Sequence, residues 1–185
     1  ETVLDNTPFN ARSIMNQTNY PEGWDVWIYE EKATLIPGVR DFLVTAQNKG
    51  VKIFYVTNRR TVYEEATKNN IKKLGLPFDD DSDVLLTRGE NGWGSSKASR
   101  RSYVSDDHRV IMMFGDNLND FFDLPDKADY GTRKDSVLKY ENMWGNKWFI
   151  LANPVYGHWE QSIYGFELLD EEAKTKAKLE NIRVN

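Results

Sequence analysis

The run Val110-Ile111-Met112-Met113-Phe114-Gly115-Asp116-Asn117-Leu118-Asn119-Asp120 changes character at its glycine. The apolar residues before it have the pattern of a short strand buried on both faces of a parallel sheet. The polar loop after it carries two carboxylates. Glycine allows a sharp turn, so Asp116 projects from the carboxyl end of the strand and Asp120 can fold back toward it. Two carboxylates so placed suit a hard, oxygen-seeking cation such as Mg²⁺. The same residues also fit a helix N-cap, since Asp and Asn commonly cap after a strand.

A second run repeats the design. Val51-Lys52-Ile53-Phe54-Tyr55-Val56 is apolar except for Lys52 and reads as another buried parallel strand. Thr57-Asn58-Arg59-Arg60 reads as the loop leaving it. A hydroxyl, an amide and a guanidinium at a strand end can bind phosphate oxygens beside the backbone N–H groups of a helix start. The alternative is a capping Thr57-Asn58 pair with Arg59 facing water. The third signal is Lys97 within Ser95-Ser96-Lys97-Ala98-Ser99-Arg100-Arg101, where an ammonium group could neutralise a transferring phosphoryl group or simply lie on a solvated helix face. The preceding Gly89-Glu90-Asn91-Gly92-Trp93-Gly94 is not a P-loop. Ser95 and Ser96 separate the last glycine from Lys97, and Ala98 stands where Ser or Thr is needed.

Around these runs, helices are expected over 8–17, 21–31 and from Pro37 to Asn48, with Gly50 ending the last. Another follows Thr61, read as its cap, to Leu74 and Gly75. Short strands are expected at 84–87 and 147–151, helices near 97–104 and 134–144, and a largely helical tail over 160–182. Strands alternating with helices argue for an α/β fold with a mostly parallel sheet flanked by helices. Ligands of such sheets sit beyond the carboxyl ends of the strands, where both loops lie.

Composition excludes several classes. The absence of cysteine removes thiol nucleophiles, thiolate metal sites and disulfides. The only histidines, His108 and His158, are too few for a dinuclear histidine-rich metal site, and neither has an Arg-His-Gly context. A net charge of −5 offers no basic stripe for nucleic acid. No apolar run reaches transmembrane length.

The three signals, in this order, resemble motifs two to four of the haloacid-dehalogenase (HAD) superfamily. Glu1-Thr2-Val3-Leu4-Asp5-Asn6, Phe54-Tyr55-Val56-Thr57-Asn58-Arg59, Gly115-Asp116-Asn117-Leu118-Asn119-Asp120-Phe121 and Asn153-Pro154-Val155-Tyr156-Gly157-His158-Trp159-Glu160 more closely resemble the class C bacterial acid phosphatases, the outer-membrane lipoprotein 5′-nucleotidases. The likeness runs from Glu1 to about Tyr164. It implies a Rossmann-like HAD core in a single domain over 1–185, with a small, mainly helical cap inserted at about 7–35, alone or together with the C-terminal helical tail.

The resemblance also implies a chemistry. The family's first motif is Asp-x-Asp-Glu-Thr, and Glu1-Thr2 would be its end. The nucleophilic aspartate and the acid/base aspartate are then expected just upstream of Glu1, and the chain is read as cut or processed there. Thr57 and Lys97 become catalytic, Asp116 and Asp120 ligands of Mg²⁺, and Asn58 and Arg59 substrate-binding residues. The substrate is a small phosphomonoester such as a nucleotide, not a nucleic acid. Trp24 and Trp27 of the cap, with Tyr156 and Trp159, could stack on its base or could simply pack the cap, and the further tryptophans at 144 and 148 are dense enough to raise the same question. The resemblance also implies a bacterial cell-envelope location, in the outer membrane or periplasm, with membrane contact only through an N-terminal lipid anchor absent from this sequence. Homo-oligomerisation stays open. The competing reading is a surface binding protein that keeps the scaffold and lacks the nucleophile.

Overall fold

The computed structural model describes residues 1–182, which fall into two compact units, residues 1–109 and those from Val110 onward. The first unit opens with β1 (Leu4–Asp5), paired antiparallel with β2 (Thr34–Leu35). This closes off the intervening segment, which forms α1 (Thr7–Asn16) and α2 (Trp24–Tyr29). Pro8 sits in the first turn of α1, where a missing N–H costs nothing. Phe9, Trp27 and Ile28 of these helices pack with Leu4, Ala33 and Ala66 in one apolar cluster.

The chain continues through α3 (Val39–Asn48), β3 (Tyr55–Arg60), α4 (Glu64–Lys73), β4 (Leu85–Arg88) and α5 (Ala98–Asp107). β3 and β4 are parallel, with Tyr55 opposite Leu85 and Val56 opposite Leu86, and the helix between them makes a βαβ unit. Leu43, Tyr55, Ile71, Leu76 and Leu85 form its core. Leu86 is 0 % exposed, a burial that contributes roughly 1.5–3 kcal/mol.

The second unit contains β5 (Met113–Gly115), α6 (Tyr130–Lys139), β6 (Trp148–Ile150), α7 (His158–Ile163) and α8 (Glu171–Glu180). β5 and β6 are parallel, Met113 facing Trp148 and Gly115 facing Ile150. The interior is aromatic: Phe121 lies 5.0 Å from Trp144 and Phe122 5.8 Å from Trp148, ring centre to ring centre. Trp144 and Trp148 are thus packing residues.

The α/β class is as expected, with corrections in detail. The strand expected at 51–56 lies at 55–60, so Thr57–Arg60 belongs to the strand and is not a loop beyond it. Its ladder partner, β4, begins opposite Tyr55, and the register breaks between Val56 and Arg60. Residues 51–54 have no ladder partner among the described residues. The Val110–Phe114 run is not buried on both faces: Val110, Ile111, Met112 and Phe114 are 41 %, 39 %, 47 % and 37 % exposed. β5 pairs with β6 on one edge, and its other edge has no strand among the described residues. Thr61 does not cap α4. Its hydroxyl bonds Thr87 Oγ1 at 3.1 Å and donates to the Arg88 carbonyl at 3.2 Å, and a short 3-10 turn over Thr61–Tyr63 intervenes. The tail helix is interrupted between α7 and α8, where Gly165 and Phe166 both take positive φ.

Candidate functional site

In the first unit, Thr57 lies half-buried in β3. Its Oγ1 accepts from the Arg59 N–H at 3.1 Å, which leaves the hydroxyl hydrogen to donate to an anionic oxygen. Its carbonyl accepts from Nη1 of Arg100. The neighbouring Asn58 uses both ends of its amide inside the protein. Oδ1 accepts from Arg100 Nη2 at 2.7 Å, and Nδ2 donates to the Ser95 carbonyl at 3.0 Å. Asn58 therefore joins two segments of the chain, a role the substrate-binding expectation did not include. Lys97 follows the second of these segments, half-buried at the N-cap position of α5.

Arg59 departs from the expected substrate contact, and Trp24 and Trp27 of α2 are packed as in the second of their two readings. Arg59 is buried at 9 % exposure, donating to Asn6 Oδ1 at 3.0 Å and to Thr67 Oγ1 at 3.2 Å, with its guanidinium 5.4 Å from the Trp24 ring. Trp27 is 2 % exposed and donates its indole N–H to the same Asn6 oxygen at 3.0 Å. A ring so enclosed has no face for a nucleobase, so Trp27 is a packing residue of the first unit. Trp24 is half-buried, edge-on to Phe9 at 4.9 Å and to Tyr20 at 5.9 Å. Asn6 is the shared acceptor that fastens α2 to β3. Sequence reasoning missed it because a buried Asn looks like any other Asn in the sequence.

In the second unit, Asp120 closes the loop that leaves β5. Its Oδ2 accepts the N–H of Asp116 at 3.1 Å and of Asn117 at 3.0 Å, while Asn117 Oδ1 accepts from Asn119 N at 3.2 Å. The N-cap reading of this loop is thus observed, with Asp120, an expected ligand, as part of the cap. The glycine is demanded by space: a Cβ on Gly115 would lie 2.5 Å from Cβ and Oδ2 of Asp120.

Asp116 is oriented from outside the loop. The buried Asn153 donates Nδ2 to Asp116 Oδ2 at 2.8 Å, and its Oδ1 accepts from the N–H of Val155 and Tyr156 at 3.1 and 3.3 Å. Trp159 Nε1 donates to the Asn153 carbonyl at 2.9 Å, which keeps Tyr156 and Trp159, 42 % and 40 % exposed, on the same segment as the residue holding Asp116. His158 Nδ1 accepts from Asn117 Nδ2 at 2.9 Å, which puts the ring proton on Nε2. Burial, and then the charge of Arg133, lower its pKa and favour that neutral form.

The loop offers Mg²⁺ donors of the right kind, carboxylate oxygens held by neighbouring N–H groups. Among the described residues no cluster of three or more His, Asp or Glu side chains could hold a metal, so Asp116 and Asp120 would supply part of a coordination shell.

Residues 1–159 match a family model described as HAD superfamily, subfamily IIIB (acid phosphatase). The chain is similar to the structure of the class C acid phosphatase from Bacillus anthracis. Identity is 34 %, all of this chain and 76 % of that one are covered, and the TM-score is 0.87. The structure of that enzyme with tungstate bound matches with the same identity and coverage at a TM-score of 0.88.

Proposed function

Because the chain belongs to subfamily IIIB of the HAD superfamily, the acid phosphatases, we propose that it hydrolyses nucleoside 5′-monophosphates. That it is a phosphomonoesterase follows from the family and from its structural neighbours. The nucleotide, the metal and the nucleophile are the parts proposed here.

The observation that carries the reading is the fastening of the Thr57 and Lys97 segments to each other through Asn58 and Arg100. A hydroxyl donor and an ammonium group on two segments held together are what a phosphoryl group with three charged oxygens requires. Asp116 and Asp120 would hold Mg²⁺, which when bound would neutralise charge on those oxygens. The support for reading Thr57, Lys97 and Asp116 as working residues is the family match, which spans all three.

The nucleophile is proposed as the first aspartate of an Asp-x-Asp just upstream of Glu1. Its carboxylate displaces the nucleoside alkoxide from phosphorus, and the second aspartate supplies the proton the alkoxide takes. That second group then accepts a proton from water as it attacks, releasing orthophosphate and the free carboxylate. Tyr156 and Trp159, exposed beside the segment that holds Asp116, are the aromatic groups best placed to meet a base. An envelope location remains part of the proposal, resting on the class C resemblance.

The test is intact-mass and N-terminal analysis of the full-length protein, together with rates for nucleoside 5′-monophosphates and p-nitrophenyl phosphate. An upstream Asp-x-Asp with preferential hydrolysis of nucleotides is expected. A different upstream sequence, or no turnover of either ester, would refute the reading.

A further inference from the structure

Arg100 is the largest fully buried side chain among the described residues, at 0 % exposure. Taking a guanidinium out of water is costly unless its two amino groups find acceptors. The position is also unfavourable for α5. Arg100 falls in the first turn, where the helix dipole presents its positive end and a cation is repelled. Neither helix stability nor burial explains an arginine here, so its hydrogen bonds must.

Those bonds go to two segments. Nη1 donates to the Thr57 carbonyl. Nη2 donates to Asn58 Oδ1 at 2.7 Å, to the Gly94 and Ser96 carbonyls at 3.0 Å each, and more weakly to the Ser95 carbonyl at 3.4 Å. One segment contains Thr57, and the other ends at the residue before Lys97. The planar fork of arginine reaches both at once, whereas a lysine has one nitrogen to share among them. Asn58 adds a second strut through its bond to the Ser95 carbonyl at 3.0 Å.

We infer that Arg100 is a positioning residue for phosphoryl transfer, fixing the spacing between the Thr57 hydroxyl and the Lys97 ammonium. The inference rests on the reading of Thr57 and Lys97 as phosphate ligands. Arg100 touches no substrate; it acts through the two residues it spaces. A displacement of about 1 Å at reacting groups costs on the order of 100-fold in rate, so loosening this clip should be felt in turnover.

The experiment is Arg100→Lys in the full-length enzyme, alone and combined with Lys97→Met. Thermal unfolding, kcat and KM for p-nitrophenyl phosphate, and inhibition by tungstate are measured in each. Arg100→Lys should fold, lose about 100-fold in kcat with a much smaller change in KM, and bind tungstate more weakly. In the Lys97→Met background it should add little, because there is no longer an ammonium group to position. Near-native kcat in Arg100→Lys would overturn the inference, as would a loss that adds fully to that of Lys97→Met, since a general folding defect is additive. If Arg100→Lys does not fold, Asn58→Ala removes the second strut and one Arg100 acceptor. The same non-additive loss there supports the clip, and unchanged kcat there overturns it. Native turnover in Lys97→Met alone would instead refute the underlying assignment of Lys97.

Discussion

Asn153 donates its side-chain N–H to the carboxylate of Asp116 across 2.8 Å, from a segment that otherwise carries the exposed rings of Tyr156 and Trp159. The bond ties the orientation of a proposed metal ligand to a distant stretch of sequence. Removing such an orienting group typically weakens metal affinity about 10- to 100-fold. Asn153→Ala should therefore raise the Mg²⁺ concentration giving half-maximal hydrolysis by that factor. An unchanged Mg²⁺ dependence would make Asn153 a loop residue only.

Gly115→Ala should damage the same loop from inside. The new methyl would lie 2.5 Å from the Asp120 side chain, so Asp120 must leave the N–H groups of Asp116 and Asn117. The expected loss is about 1–3 kcal/mol of stability together with a weakened Mg²⁺ response. Chemical denaturation and Mg²⁺ titration check both, and a variant unchanged in either would show that the loop can give way.

Asp83 lines a cavity of about 160 Å³ with Lys52, Tyr103 and His108. Burial, and then the charge of Glu90, push its carboxyl up to about 6. The folded state therefore holds a proton that the unfolded chain releases. Asp83 stabilises the fold increasingly as pH falls from about 6 to its ordinary value of 3.8, and this contribution is lost as pH rises through 6. Asp83→Asn should flatten the pH dependence of stability over that window and stabilise the protein near pH 7 by about 1 kcal/mol, a figure reduced for solvent screening. Urea unfolding at pH 4.5 and pH 7 tests this, and an undiminished pH dependence would refute it.

The aromatic residues should divide by burial. Trp27→Ala leaves a hole in the apolar cluster around α1 and α2 and should cost about 3–5 kcal/mol of stability. Tyr156→Ala should leave stability nearly unchanged, Trp159→Ala should lose about 0.5–1.5 kcal/mol with its bond to the Asn153 carbonyl, and both should raise KM for nucleoside monophosphates more than for p-nitrophenyl phosphate. Equal effects on both esters would remove these rings from base recognition.

Much of this was legible in the sequence because it is local. The glycine before Asp116, the short strands near 84–87 and 147–151 and the proline that opens α1 each act within a few residues. What escaped was set by distant partners. Arg59, read as a phosphate contact, is instead drawn inward by Asn6, 53 positions away. Trp27 is fixed by the same residue. Arg100 carries no mark in the sequence, because its acceptors at Thr57 and Asn58 lie 43 and 42 positions away. Val110–Phe114 has the composition of a fully buried strand, but composition does not say whether both edges are paired.

The central claim is that the Thr57 hydroxyl and the Lys97 ammonium group, on two segments of the first unit fastened through Asn58 and Arg100, serve one phosphoryl group. A double-mutant cycle of Thr57→Val and Lys97→Met in the hydrolysis of p-nitrophenyl phosphate tests it most directly. Each single variant should lose on the order of 10³-fold in kcat while remaining folded, and the double variant should lose far less than the product. Full activity in Lys97→Met, or losses that multiply, would contradict it.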